Sequence, residues 1–226
     1  MKLTFYGHSC FMLEAGGSKL LFDPFIRHNR LAAHIPISEI KPDYILISHG
    51  HEDHVADAED IARQSGAMFI SNFEVVSWFG KKGFEKLWGM NHGGKHTFDF
   101  GTVRYVNAVH SSTMPDGEPG GNPGGFIIEA DGKRLYYAGD TAVHMDMELI
   151  GRHWRPDIAI LPIGDNFTMG VEDAVICSDM IRCDKIIGMH YDTFPFIEID
   201  HKEAVRTFSL KGIKLSLMEI GESKEV

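Results

Sequence analysis

Short stretches of alternating apolar and polar residues, broken by glycine turns, open this chain. Lys2–Tyr6, Phe11–Glu14 and Lys19–Phe22 read as strands separated by Gly7-His8 and Gly16-Gly17, which predicts an antiparallel start. Tyr44–Ile47 is a continuous apolar run after Lys41-Pro42-Asp43 and suits a strand buried on both faces. Val55–Gln64 carries apolar residues at helical spacing and stops near Gly66, so a helix is expected there. Ala67–Ser71 is another strand and Asn72–Gly80 a second helix. After the turn-rich Gly89–Lys95, Thr97–Phe100 and Val103–Val109 form a hairpin about Gly101. Met114–Gly125, dense in Gly and Pro, is a loop; a lid, a contact between copies and a plain connection all fit it. Phe126–Glu129 and Arg134–Tyr137 flank Asp131-Gly132, a two-residue turn that needs positive φ. Helical pieces (Met145–Arg152, Val171–Arg182, Lys202–Leu210) then alternate with strands (Ile158–Ile163, Lys185–Met189, Lys214–Leu217). Two halves, each strand-first and helix-later, predict an α/β (α+β) chain with two sheets face to face and helices outside. No linker divides them, so one domain over 1–226 is expected.

Composition narrows the function classes. The 226 residues suffice for one large core, and 43% hydrophobic with 24% charged residues excludes a disordered or fibrous chain. No apolar run reaches the roughly 18–20 residues of a membrane span. The opening Met1–His8 turns polar at once, unlike a secretory leader, so a cytoplasmic location is expected. Cys10, Cys177 and Cys183 lack metal or redox spacing and read as free thiols of a reducing compartment. A net charge of −10 disfavours nucleic acid and anionic membranes as partners, although divalent cations would create a local positive spot. A small-molecule substrate fits better, and a homo-oligomer is compatible with the sequence.

The sharpest chemical signal is Ser48-His49-Gly50-His51-Glu52-Asp53-His54, directly after a buried strand and before a helix. In extended chain, residues i and i+2 point the same way, so His49 and His51 can reach one ion together. Asp53 and His54 follow at the turn, where the chain reverses and offers donors to a second. Burying several imidazoles and a carboxylate without partners is costly, which favours metal over accident. His110, Asp140 and His190 each follow a predicted strand, which is how residues distant in sequence converge on one edge. His28 and His34 read as surface or pocket-lip residues; His92, His96, His144, His153 and His201 as packing or surface; Trp78, Trp88 and Trp154 as packing aromatics.

His-x-His-x-Asp-His followed by a His, a Gly-Asp-Thr and a further His resembles the ligand order of the metallo-β-lactamase superfamily. Within it the chain is similar to a metal-dependent hydrolase group related to the ascorbate-phosphate lactonases. That closer likeness rests on Gly7-His8-Ser9, Asp23-Pro24-Phe25, Gly121–Phe126 and Pro162–Gly170. The resemblance implies a four-layer αββα sandwich and two divalent metal ions. His49, His51 and His110 would hold one, Asp53, His54 and His190 the other, and Asp140 would bridge them. Imidazole and carboxylate donors without thiolate fit zinc, the default, or manganese. The implied activity is hydrolysis of a small ester, lactone or phosphoester by hydroxide generated between two metals. Asp53 would accept the proton, and His8, like the family's N-terminal histidine, would face substrate or a developing oxyanion. A phosphodiesterase or nuclease of the same fold and a non-hydrolytic metal protein are the competing readings; fold alone does not choose among them.

Overall fold

A computed structural model describes residues 1–226. Its first half runs β1 (Lys2–Phe5), β2 (Phe11–Ala15), β3 (Ser18–Phe22), β4 (Tyr44–Leu46), α1 (Glu52–Val55), α2 (Ala58–Ser65), β5 (Met68–Asn72), α3 (Phe73–Lys81) and β6 (Leu87–Met90). The second half continues with β7 (Lys95–Phe98), β8 (Gly101–Asn107), β9 (Gly124–Ala130), β10 (Lys133–Tyr137), α4 (Asp146–His153), β11 (Ile158–Pro162), α5 (Val171–Met180), β12 (Lys185–Met189), α6 (His201–Ser209), β13 (Lys214–Ser216) and β14 (Ser223–Glu225). Two seven-stranded sheets result, ordered β14-β1-β2-β3-β4-β5-β6 and β13-β12-β11-β10-β9-β8-β7.

Alternation along the strands creates the layers. Phe11, Leu13, Leu20, Phe22 and Leu46 point into one apolar cluster with the second sheet, where Phe22 stacks on Tyr137 at 4.6 Å between ring centroids. Their neighbours Met12, Leu21 and Ile45 point the other way, onto Ile61 of α2 and Val75 and Phe79 of α3. Helices α4, α5 and α6 cover the second sheet with Met147, Ile150, Ala174, Cys177 and Phe208. This is the expected sandwich of two sheets between helices. No helix is long and apolar enough to cross a membrane.

Strand direction decides where the chemistry falls. β1 and β3 are both antiparallel to β2, and β4 runs parallel to β3; β8 and β10 are both antiparallel to β9, and β11 and β12 run parallel to β10. The C-terminal ends of β1, β3 and β4 therefore share one edge of the first sheet, and those of β8, β10 and β12 one edge of the second. His8, Asp23, the His49–His54 segment, His110, Asp140 and His190 follow these ends.

Three local expectations change. The helix expected over Val55–Gln64 is two helices. Asp57 turns its carboxylate to the backbone N–H groups of Ile26 and Arg27 at 2.6 and 2.9 Å, and its own N–H donates to the Pro24 carbonyl at 3.0 Å instead of to a carbonyl one helical turn back. β6 has no counterpart among the expected strands, and its last two residues fall in the stretch Gly89–Lys95 that reads as turn, because Gly89 interrupts it and Trp88 and Gly89 are exposed. β14 is a polar edge strand against β1, without the apolar alternation that marks a strand in sequence.

Candidate metal centre

The His49–His54 segment is extended through His51 and turns helical at Glu52. Gly50 lies so close to the 113–114 segment that a Cβ there would sit 2.4 Å from the Met114 sulfur and 3.3 Å from its backbone nitrogen, so any larger residue between the two imidazoles would push the buried Met114 side chain aside. His49 Nε2 and His51 Nδ1 face each other at 2.9 Å, and with His110 they offer three nitrogens within 4.8 Å of one another. Asp140 is presented by Gly139 at φ +64°, where a Cβ would meet the Gly124 carbonyl at 2.7 Å and Ser48 Cβ at 2.8 Å. Asp140 Oδ2 lies 2.9 Å from His190 Nε2, 3.3 Å from His54 Nε2, 3.6 Å from His110 Nε2 and 4.0 Å from His49 Nε2. Asp53, His54 and His190 also gather, together with His8, within 4.8 Å. All seven residues whose ligand role the resemblance implies thus stand around one spot.

Outer contacts fix this geometry. The Asp23 carboxylate accepts from the Ser48 N–H at 2.7 Å and the Ser48 hydroxyl at 2.6 Å, and meets His54 Nδ1 at 2.8 Å. The Tyr137 hydroxyl, from the opposite sheet, lies 2.7 Å from the same carboxylate and 2.9 Å from the Ser9 carbonyl. Tyr105 donates to the Ser48 carbonyl at 3.0 Å. His8, Asp23 and His190 all adopt positive φ, uncommon for residues with a Cβ, and the His190 N–H donates to the His8 carbonyl at 2.9 Å.

Charge is sorted across the cluster. Burial lowers the pKa of His49 far below that of a free imidazole, and lowers His51 and His110 too. Burial opposes charge on His54 and His190 as well, but the carboxylates, Asp140 foremost, outweigh it. His54 is held well above its ordinary value and His190 is pushed up to about 9. Burial alone would raise Asp140 and Asp53; His190 and His54 hold Asp140 well below the usual range, and His54, His190 and His8 do the same for Asp53. The cluster therefore sets ionised carboxylates beside His54 and His190, which they hold in the protonated form, while His49, His51 and His110 are neutral with a ring lone pair to donate; a divalent cation would take the place of the protons on the first two.

His8 departs from the expectation that it faces substrate. Its ring is buried, lines no part of the open cavity above the cluster, and sits between Asp53 Oδ2 and Thr193 Oγ1, each at 3.0 Å. Burial and the nearby His190 drop its pKa to about 4. A neutral His8 beside an ionised carboxylate carries its proton on Nε2 and donates it to Asp53, while Nδ1 accepts from the Thr193 hydroxyl. It stands behind Asp53.

The loop 114–125 is strapped down rather than free to close. Asn72 caps α3 by accepting from Val75 N–H at 2.8 Å, and its amide donates to the Gly120 and Asn122 carbonyls. Trp78 Nε1 donates to Asp116 at 2.7 Å, Lys81 pairs with Glu118, and Met114 is buried. None of its residues lines the cavity; His28 and Phe167 do, whereas Asp165 and Thr168 serve the turn beside it. Asp23 was legible in the sequence only as part of Asp-Pro-Phe, and the aromatic wall formed by Phe194 and Phe196 carried no signal there.

Divalent metal fits these residues. His54 Nε2, Asp140 Oδ1 and His190 Nδ1 are buried with no hydrogen-bond partner, an expensive condition unless something else engages the site. Two of the three, His54 Nε2 and Asp140 Oδ1, belong to groups that face the centre of the cluster, and the donor set of imidazole and carboxylate suits zinc or manganese.

A family model described as a beta-lactamase superfamily domain matches residues 2–190. A metal-dependent hydrolase of Christiangramia forsetii is 56% identical over 227 residues, covering 100% of this chain and 100% of its own. One of Flavobacterium johnsoniae is 55% identical over 226 residues, again with 100% of each chain covered. Among solved structures, a metallo hydrolase of the hyperthermophilic archaeon Ignicoccus hospitalis is similar with a TM-score of 0.90 and 37% identity, over 100% of this chain and 98% of that one. With its fold, its clustered donors and these relatives in agreement, the chain belongs to the metallo-β-lactamase superfamily and is one of its metal-dependent hydrolases.

Proposed function

We propose that this hydrolase, one domain over 1–226, works with two divalent cations, zinc or manganese, on a small ester, lactone or phosphoester in the cytoplasm. His49, His51 and His110 hold one cation, Asp53, His54 and His190 the other, and Asp140 stands between them. The observation that carries this reading is the position of Asp140 Oδ2, within 4.0 Å of nitrogens from both histidine groups, so one carboxylate serves two adjacent sites.

Bound there, divalent cations would supply Lewis acidity, polarising an oxygen of the substrate and lowering the pKa of water from 15.7 towards about 7. The chain's own residues do the rest. Asp53 lines the cavity with its side chain one-quarter exposed and is placed to take a proton from the attacking water. His8 holds Asp53 in that orientation through its Nε2–H. Asp23 and Ser48 fix the rings of His54 and His49, so that their donor atoms need no rearrangement when metal binds. Phe25 and Phe194 close the inner wall of the cavity and limit water around the reacting groups.

Elemental analysis of purified His51→Ala and Asp140→Ala, each beside the parent protein, tests the assignment. Both variants should lose metal and lose hydrolysis of a lactone and ester panel. Full metal content in both would overturn it.

A further inference from the structure

The cavity above the cluster has a volume of about 700 Å³, the size of a site for a small organic molecule. Its lining contains no lysine and no arginine. The carboxylates in it, Glu52, Asp53 and Asp140, are all acids that a second anionic group on the substrate would meet. The nearest arginines in sequence are engaged elsewhere. Arg27 pairs with Asp57 at 2.6 Å and Asp60 at 2.5 Å; Arg30 donates to the Asp192 carbonyl at 3.1 Å and lies 3.8 Å from Glu198. A phosphate or carboxylate remote from the reacting bond would find no cation to replace its water.

What the cavity offers instead is aromatic surface. Phe25, with 5% exposure, and Phe194 lie 6.2 Å apart between centroids and form its inner wall. Phe167 and Phe196, 51% and 74% exposed, lie 6.5 Å apart edge to face at its outer part. Tight turns in two separate loops deliver them. Asp165 and Asn166 both take positive φ immediately before Phe167, and Asp192 does so before Phe194-Pro195-Phe196.

We infer that the enzyme takes an uncharged carboxylic ester or lactone bearing an aromatic or bulky aliphatic group, which seats against Phe25, Phe167, Phe194 and Phe196. This rests on the metal-dependent reading above and narrows its substrate class: the lining has no cation for a remote anionic group, and its carboxylates Glu52, Asp53 and Asp140 disfavour a reacting group that is itself an anion, as a phosphodiester is. In the reaction the oxygen of water bonds to the acyl carbon and the acyl carbon–oxygen bond breaks. One water proton ends on the leaving oxygen and the other is released to solvent as the carboxylic acid product ionises, with no oxidant or reductant required.

The test compares metal-loaded wild type and the Phe167→Ala/Phe196→Ala double variant on p-nitrophenyl acetate, p-nitrophenyl phenylacetate and bis-p-nitrophenyl phosphate. Wild type should prefer phenylacetate to acetate by tenfold or more in kcat/KM and turn over the phosphodiester least; the double variant should lose most of that preference, chiefly through KM. Saturation-transfer NMR with benzyl alcohol and phenyl phosphate reads binding without turnover, and metal-free protein should still bind benzyl alcohol while the double variant should not. A phosphodiester turned over faster than the esters overturns the proposal. So does an acyl preference that survives in the double variant, or metal-loaded enzyme inert to every ester. A protein that takes up no metal when zinc or manganese is supplied, yet binds benzyl alcohol, would instead defeat the metal-site reading and leave the aromatic site standing.

Discussion

The carboxylate of Asp23 lies 2.8 Å from Nδ1 of His54, and neither side chain has any exposed surface. Asp23 has no direct line to the cavity, yet it sets which way His54 Nε2 points, 3.3 Å from Asp140 and 3.8 Å from Asp53. A carboxylate behind a ligand histidine fixes both its tautomer and its ring orientation. Asp23→Asn keeps the volume and removes the charge. Metal affinity, read by competition with a chelator, should fall by roughly 10–100-fold, with melting temperature lowered as well. Unchanged affinity would show that His54 needs no such support.

Tyr137→Phe tests the same network from the opposite sheet. It removes a hydroxyl 2.7 Å from the Asp23 carboxylate but keeps the ring stacked on Phe22. A hydrogen bond to a charged group contributes about 1.5–3 kcal/mol, and denaturant unfolding should register a loss of that order. A loss below a few tenths would mean that Ser48 and His54 alone satisfy Asp23.

Gly139→Ala places a methyl group 2.7 Å from the Gly124 carbonyl, on backbone at φ +64°. The left-handed conformation costs a residue with a Cβ about 1–2 kcal/mol, and overpacking adds about 1–3 kcal/mol. Because Asp140 is the next residue, the variant should lose metal as well as stability. Thermal unfolding and elemental analysis measured on the same sample would check both. A destabilised protein with full metal content would separate the turn from the site.

Trp78→Phe addresses the loop 114–125. It deletes the 2.7 Å hydrogen bond to Asp116 and leaves the cavity untouched. The expected loss is about 0.5–1.5 kcal/mol, and limited proteolysis should cut the loop faster. Metal content should stay at the parental level, since no residue of the loop lines the cavity.

The three cysteines give a pH dependence whose sign can be fixed. Burial raises the Cys10 thiol well above its ordinary value, raises Cys177 as well, and pushes Cys183 up to about 11. A thiol whose pKa is higher folded than unfolded favours the folded state fully below the unfolded value. That advantage disappears as pH rises through the folded value. Stability in urea should therefore decline between about pH 9 and 11, beginning where unfolded thiols ionise. Iodoacetamide at pH 8 should label none of the three in the native protein and all three in denaturant, as counted by intact mass.

Much of the site could be read from residue types and local spacing. The His49–His54 segment brings its donors together through the geometry of a few consecutive residues. The buried run before it and the apolar alternation of β1 to β3 are equally local, as are the helical spacings of α3 to α6. A glycine-interrupted strand such as β6 and a polar edge strand such as β14 have no such periodicity, because pairing with a neighbour rather than burial of a face makes them strands. For the same reason the sequence alone determined that this chain carries a metal-type donor set in a two-sheet protein, and it singled out the seven residues that the fold gathers around one spot. Only the tertiary structure decided that His8 stands behind Asp53, that Asp23 and Tyr137 from opposite sheets meet beneath His54, and that four phenylalanines from separate loops face one cavity. Those encounters depend on strand order and direction, which bring together residues 45 positions apart, as His8 and Asp53, or 114 apart, as Asp23 and Tyr137, and no local pattern of side chains encodes such distances.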